Sequence, residues 1–395
     1  MKKIKFVLIS VLFLCTFLLT GCTYEMVDLY IYKMPNRIVY EIGEKLDTTG
    51  IELKGIKTDS ALNRIYKNKA NFSGFDSSTT GKKEIIVSYG NFTSSFYVYV
   101  ANKVANNEDE LNEILTQLED NDIVLIKEGN YNLPSGIKID ASNVVIGGQG
   151  KDKTKLNSFC IIGGTLEDGQ ISFSGDVTNV SIIGLKLETT SRVVDRKISF
   201  DNPNYNLNLA GINAKGIDGL NIVMCEITGF SYGILVETLN NAMITGNNLE
   251  KILVGAIYVT NSIKDSTISK NIIKDIGQSV LYIDEGEQQY IFGLNLAFNS
   301  EENTGVSIYK NSISKIALKG DKVNFLQEKT DKINSNINYF SKSSAIIVRS
   351  SGKNNLQTKG ISIFFNSVGS CLNNILYNTT ENDKLNSSSI MYMSF

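Results

Sequence analysis

A hexapeptide of the form I-x-x-(N)-x-[ILV] recurs five times, at Ile222 to Ile227, Ile244 to Leu249, Ile268 to Ile273, Ile308 to Ile313 and Ile363 to Val368. The first residues of successive copies are 22, 24, 40 and 55 positions apart. Self-similarity with a period of roughly 20 to 25 residues is the mark of a solenoid, whose repeats bury their apolar faces only against their neighbours. The first two gaps are therefore single coils, and the last two are coils carrying insertions. A second strand-like element follows the repeats at Gly233 to Val236, Ala256 to Val259, Val280 to Ile283 and Ala345 to Val348. Stacking brings Asn247, Asn271, Asn311 and Asn366 into one vertical column. Coils about 4.8 Å apart let side-chain amides hydrogen-bond from rung to rung. Cys225 falls in the same column and fills it.

Upstream, Asn106 to Asp120 carries an N-cap and then apolar residues at helical spacing (Leu111, Ile114, Leu115, Leu118), which predicts one amphipathic helix. Short apolar runs follow at Asp122 to Ile126, Gly136 to Ile139 and Asn143 to Ile146. This order resembles the opening of pectate-lyase-like right-handed parallel β-helices, in which a helix caps the open core. Between Tyr24 and Ala101 the period is two instead, in Ile38-Val39-Tyr40, Ile51-Glu52-Leu53, Glu84 to Tyr89 and Ser95 to Val100. Alternation in so short a stretch predicts a small antiparallel sandwich. The succession Pro35, Tyr40, Gly43, Asp47, Gly50, Gly74-Phe75-Asp76, Gly81 resembles bacterial immunoglobulin-like domains. The expected fold is thus all-β: an Ig-like β-sandwich over 23–101, then a right-handed single-stranded parallel β-helix over 102–395 with a short N-terminal capping helix.

Residues 1–22 hold Lys2, Lys3 and Lys5, an apolar run from Phe6 to Leu19, and then Thr20-Gly21-Cys22. The run is a signal h-region. Its end resembles the lipobox of bacterial lipoproteins, and that resemblance makes Cys22 the lipidated residue, implying export and tethering to a bacterial membrane surface with the folded part in water. Without the leader, 36 Lys and Arg stand against 41 Asp and Glu, a net charge of −5 with no basic excess to suggest nucleic acid. Cys160, Cys225 and Cys371 imply no disulfide framework and are expected as buried thiols.

The chain has no histidine and no tryptophan. Any mechanism that needs an imidazole, as base, metal ligand or triad member, is excluded. The β-helix resemblance points to a surface that holds an acidic polysaccharide. If Ile234 and Val236 face inward, Leu235 and Glu237 face outward. The equivalent outward columns are then Asn213, Leu235, Tyr258, Tyr282, Ile347 and Lys215, Glu237, Thr260, Asp284, Arg349. A polysaccharide lyase neutralises a uronate carboxylate, removes the adjacent proton with Lys, Arg or Tyr, and needs no His. On that resemblance Glu237, Asp284, Glu285 and Glu287 are candidate Ca²⁺ ligands, because hard oxygen donors suit the ion. Lys215 or Arg349 is the candidate base, Tyr258 or Tyr282 donates or steers, and Arg192 and Arg196 grip carboxylates. Insertions at about 188–210, 284–304, 317–343 and 372–388 are expected to wall a groove, the Lys- and Asn-rich 317–343 stretch being the mobile one. Two other classes stay open: a glycan-binding lipoprotein that stacks sugar rings on Tyr258 and Tyr282, and an adhesin-like surface module. A dense column of charge favours the lyase; exposed rings favour the binding module.

Overall fold

The structure is a computed structural model and describes residues 25–133, 136–158, 169–173, 176–189, 210–252, 254–277, 291–297, 305–316, 343–350, 361–369 and 373–379. It divides into two compact units, the first taking in Lys45–Asp76 and Lys82–Val98 with the segment up to Asn36, the second Arg37–Glu44, Ser77–Gly81 and the chain from Tyr99 on.

Met26–Lys33, Glu52–Lys57 and Leu62–Ile65 form an antiparallel three-stranded sheet, and Val39–Tyr40, Phe92–Val100, Gly81–Tyr89 and Asn71–Ser73 a four-stranded one in that order. Buried Leu29, Ile31 and Leu53 alternate with outward residues in the first, and Ile85, Val87, Phe96 and Val98 in the second. This is the expected two-sheet pattern, except that Val39–Tyr40 runs parallel to Phe92–Val100 where an antiparallel sheet was expected. Met26–Lys33 and Leu62–Ile65 are strands that the alternating runs did not reveal.

From Lys103 the chain winds a parallel β-helix with three faces. The first face stacks Lys103–Ala105, Ile123–Ile126, Val145–Gly148, Ser181–Ile183, Asn221–Val223, Met243–Thr245, Thr267–Ser269, Val306–Tyr309 and Ile361–Phe364. The second stacks Gly129–Asn132, Thr154–Ser158, Lys186–Thr189, Glu226–Thr228, Asn248–Glu250, Ile272–Ile276, Ser312–Ile316 and Ser367–Gly369. The third stacks Ile137–Ile139, Gly169–Phe173, Ala210–Asp218, Tyr232–Asn240, Gly255–Lys264, Ile291–Ala297, Ser343–Ser350 and Asn373–Thr379. All pairings within the three faces run parallel. One aliphatic stack per face lines the interior: Ile182, Ile222, Ile244, Ile268 and Ile308 on the first, Leu187, Ile227, Leu249, Ile273 and Ile313 on the second, Ile212, Ile234, Ile257, Leu294 and Ile346 on the third. Each such side chain contributes roughly 1.5 to 3 kcal/mol of burial.

In the five coils from Asn221 on, the first turn is built from two columns. Met224, Gly246, Lys270, Lys310 and Phe365 take left-handed backbone at φ of 55°, 69°, 56°, 55° and 53°. The next residue is the ladder position. Asn247 Oδ1 accepts from the Cys225 amide at 2.8 Å, Asn271 Oδ1 from the Asn247 amide and Nδ2 at 3.0 Å each, and Asn311 and Asn366 continue the chain at 2.9 to 3.0 Å. Each Nδ2 also donates to the carbonyl of an Ile on the coil before. Cys225 fills the ladder as expected and is fully buried; burial pushes its thiol up to about 12, so it is inert. Cys160 and Cys371 lie outside the described residues.

The helix spans Glu108–Thr116, shorter than the sequence pattern suggested. Asn107 accepts from the Glu110 amide at 2.9 Å while the Glu110 carboxylate reaches back to the Asn106 amide at 2.9 Å, a reciprocal capping box. Leu111, with Ile114, Leu115 and Leu118, packs onto the first end of the solenoid core.

Two sequence expectations are corrected. The third-face strand of the coil after Gly255–Lys264 is Ile291–Ala297, not Val280 to Ile283. That strand lies inside the stretch expected as the insertion 284–304, and Asn373–Thr379 likewise lies inside 372–388. The stretch 317–342 and most of the first insertion lie outside the described residues.

Candidate functional site

Ile234 and Val236 turn into the core as expected and Glu237 is exposed, whereas Leu235, on the outward side of the strand, is itself buried. The paired register gives the column Asn213, Leu235, Tyr258, Asn295, Ile347 on the outward side, of which Asn213 and Tyr258 are half-buried and Leu235, Asn295 and Ile347 buried. Asn295 stands where Tyr282 was expected. In the next column Lys215 and Glu237 are exposed, Thr260 is half-buried, and Ala297 pairs with Arg349. Ala297 stands where Asp284 was expected. Charge therefore occurs at the two ends of this column, with none between. Lys215 and Glu237 occupy adjacent coils, but Arg349 is four coils from Lys215, on the order of 19 Å at ~4.8 Å per coil. Tyr282, Asp284, Glu285, Glu287, Arg192, Arg196 and Cys22 lie outside the described residues. Among the described residues no group of three His, Cys, Asp or Glu gathers to hold a metal.

What the face does assemble is aromatic. Tyr232, Tyr258 and Phe292 meet with ring centroids 5.6 Å (Tyr232 to Tyr258), 5.2 Å (Tyr258 to Phe292, edge-on) and 6.4 Å (Tyr232 to Phe292) apart. With Val254 and Ile347 they make a small apolar cluster separate from the solenoid core. Phe292 is buried and the two tyrosines are half-buried. Gly255 lies between Tyr232 and Phe292 in the same register column. A Cβ at Gly255 would stand 2.0 Å from Phe292 Cε2, so the ring lies directly over this glycine. The two half-buried tyrosines, backed by buried Phe292, offer ring edges tipped with phenol hydroxyls, a surface that suits the CH faces of sugars.

Tyr232 and Phe292 were not singled out in the sequence because strict alternation from Ile234 would have put Tyr232 inside. The coil instead bends at Gly233, where two consecutive residues face inward. A Cβ at Gly233 would meet the Ala256 carbonyl at 2.6 Å and Leu249 Cδ2 at 2.8 Å. The same corner holds Gly211, Ala256, Gly293 and Ala345, each followed by Ile or Leu. That small-then-aliphatic pair, read as a column, is the signal that places Ile291–Ala297 and turns Tyr232 and Phe292 outward.

The second face carries charges that are consumed by one another. Glu226 accepts from Lys151 at 2.9 Å and Lys186 at 3.3 Å, Lys186 also meets Glu188 at 3.1 Å, and Lys274 meets Glu250 at 2.8 Å. Burial works to raise the Glu226 carboxyl, but hydrogen bonds and charge from Lys151 and then Lys186 outweigh it and hold it below the ordinary 4.5. A lowered native pKa means that the folded chain binds fewer protons there than the unfolded one. Its stabilisation is thus complete above 4.5 and is lost as the pH falls through the native value beneath it. Glu226→Gln is expected to cost about 1 to 3 kcal/mol at neutral pH. Thermal melts should show the gap from wild type narrowing as the pH is taken down below 4.5; a gap of equal size at neutral and acid pH would mean that the charge is not what stabilises.

Residues 37–100 match the family model for the bacterial Ig-like domain (group 3), and this segment is an Ig-like domain. An exo-beta-1,6-galactobiohydrolase of Bifidobacterium longum subsp. longum is 39% identical over 82 residues, 19% of this chain, and pectate lyase L of Thermoclostridium stercorarium is 36% identical over 76 residues, also 19%. The chain spans only 5% and 6% of the length of these relatives. Among solved structures, a pectin methylesterase in complex with a hexasaccharide is similar at TM-score 0.46 and 10% identity, covering 74% of this chain and 93% of that one. The catalytic domain of a GH87 alpha-1,3-glucanase is similar at TM-score 0.39 and 12% identity, covering 92% and 74%.

Proposed function

We propose that the protein binds an acidic polysaccharide outside the cytoplasm, along the outer third face of the β-helix. The observation that carries this reading is the pair of half-buried rings Tyr232 and Tyr258 packed on buried Phe292, with exposed Lys215 and Glu237 on the same face. The rings supply CH–π contact along a glycan, and Lys215 supplies a cation for a uronate carboxylate. The two relatives are named as a galactobiohydrolase and a pectate lyase, which supports a carbohydrate ligand. The interrupted charge column favours holding a glycan over cleaving it. The leader and Cys22 enter as the expected export signal and lipid tether.

The test is binding of the chain from residue 23 onward to polygalacturonate, alginate and a glycosaminoglycan, with and without Ca²⁺, alongside absorbance of an unsaturated product. Tyr232→Ala and Tyr258→Ala should each weaken binding roughly three- to tenfold, in line with the loss of one aromatic contact. Product absorbance would extend the reading to β-elimination. Retention of full affinity by the double variant would overturn it.

A further inference from the structure

The Ig-like sandwich carries a second assembly of rings and cations, on the outward side of its three-stranded sheet. Tyr30, Lys54 and Arg64 lie directly abreast across the three strands, because Tyr30 pairs with Lys54 and Lys54 with Arg64. Lys54 Nζ sits 3.3 Å from the centre of the Tyr32 ring, and the Arg64 guanidinium 5.3 Å from that of Tyr66. Tyr32 is 39% exposed and Tyr66 58%. Among the described residues neither Lys54 nor Arg64 forms an ion pair, although acidic side chains outnumber basic ones once the leader is gone. An ammonium or guanidinium resting on a ring keeps its remaining N–H groups pointed at solvent. Two such groups on neighbouring antiparallel strands stand about 5 Å apart at the backbone. The arrangement presents adjacent anion contacts flanked by exposed phenol rings.

We infer that this sheet face is a second contact for an acidic polysaccharide, with Lys54 and Arg64 pairing successive carboxylates and Tyr66 meeting a sugar ring. The occupant follows from charge complementarity and from the rings: a repeating anionic sugar chain offers carboxylates and CH faces together. The inference stands on residues of the sandwich alone and does not depend on the third-face site.

The experiment is affinity electrophoresis of the chain from residue 23 onward in gels containing polygalacturonate, alginate or hyaluronan, with dextran as the neutral control. Wild type is compared with Lys54→Gln/Arg64→Gln, Tyr66→Ala and Tyr258→Ala. Arg64 and Tyr66 are exposed and Lys54 half-buried, so the polar or truncating changes there should shift melting temperatures little. The double variant should bind an acidic polymer about tenfold more weakly, more so at low salt than at high, and combine additively with Tyr258→Ala. If the double variant binds like wild type while Tyr258→Ala is impaired, the sandwich face is not a site and the third-face reading stands alone. Absence of binding to any of the three acidic polymers, or sedimentation with phosphatidylglycerol vesicles in place of polymer binding, also overturns the inference.

Discussion

Asn271→Leu should be among the most damaging single changes in this chain, lowering stability by about 3 kcal/mol or more. Asn271 is fully buried and makes four side-chain hydrogen bonds, two accepted from Asn247 and two donated, to Asn311 Oδ1 and the Ile244 carbonyl. Leucine matches its size and none of its polarity. The Asn247 backbone amide and side-chain N–H are left without an acceptor in a dry turn, at roughly 1 to 3 kcal/mol for each buried unsatisfied group. For a domain of this size that corresponds to a fall in melting temperature of roughly 6 °C or more. Asn366→Leu is the comparison. Its position is half-buried, so water can replace part of what is lost, and the fall should be smaller. Equal melting temperatures for wild type and Asn271→Leu would contradict the ladder.

Gly233→Val should be of similar severity for the opposite reason. The corner leaves no room: the added Cβ would press on the Ala256 carbonyl at 2.6 Å and on Leu249 and Ile252 side chains at 2.8 and 2.9 Å. The first of these is backbone in the parallel ladder and cannot rotate away. Overpacking of this kind costs about 1 to 3 kcal/mol where side chains can yield, and a backbone wall puts Gly233→Val at the upper end or beyond. Loss of soluble folded protein, or a melt lowered by as much as that of Asn271→Leu, is the expected result. An unperturbed melt would mean that the corner does not bend as described.

These two positions also mark where the sequence was readable and where it was not. The Asn ladder and the aliphatic stacks on the first two faces show in the sequence because one residue type returns at a fixed offset within a short element. Ile222, Asn247 and Leu249 need no knowledge of the loops between coils. The third face is harder, since its strands follow insertions of variable length and the run Val280 to Ile283 is as apolar as a true strand. What distinguishes Ile291–Ala297 is Gly293 before Leu294, matching Gly233-Ile234 and Ala256-Ile257. Aliphatic content alone does not carry that steric requirement. The candidate site inherited the error: Tyr258, Lys215 and Glu237 fall on the expected face, while Tyr282 and Asp284 give way to Asn295 and Ala297 in the paired columns. Tyr232 and Phe292 escaped notice because the corner reverses the parity on which the alternation depends. In the sandwich, Met26–Lys33 was passed over because bulges at its two ends shift the register and blur its period.

The proposed glycan lies along the outer third face, across Tyr232 and Tyr258. A crystal structure of the chain from residue 23 onward, grown with an acidic oligosaccharide bound in solution, tests it most directly. The expected density is sugar rings lying against Tyr232 and Tyr258, with a carboxylate turned toward Lys215. Sugar bound instead on the first or second face of the solenoid, with Tyr232 and Tyr258 untouched, would contradict it.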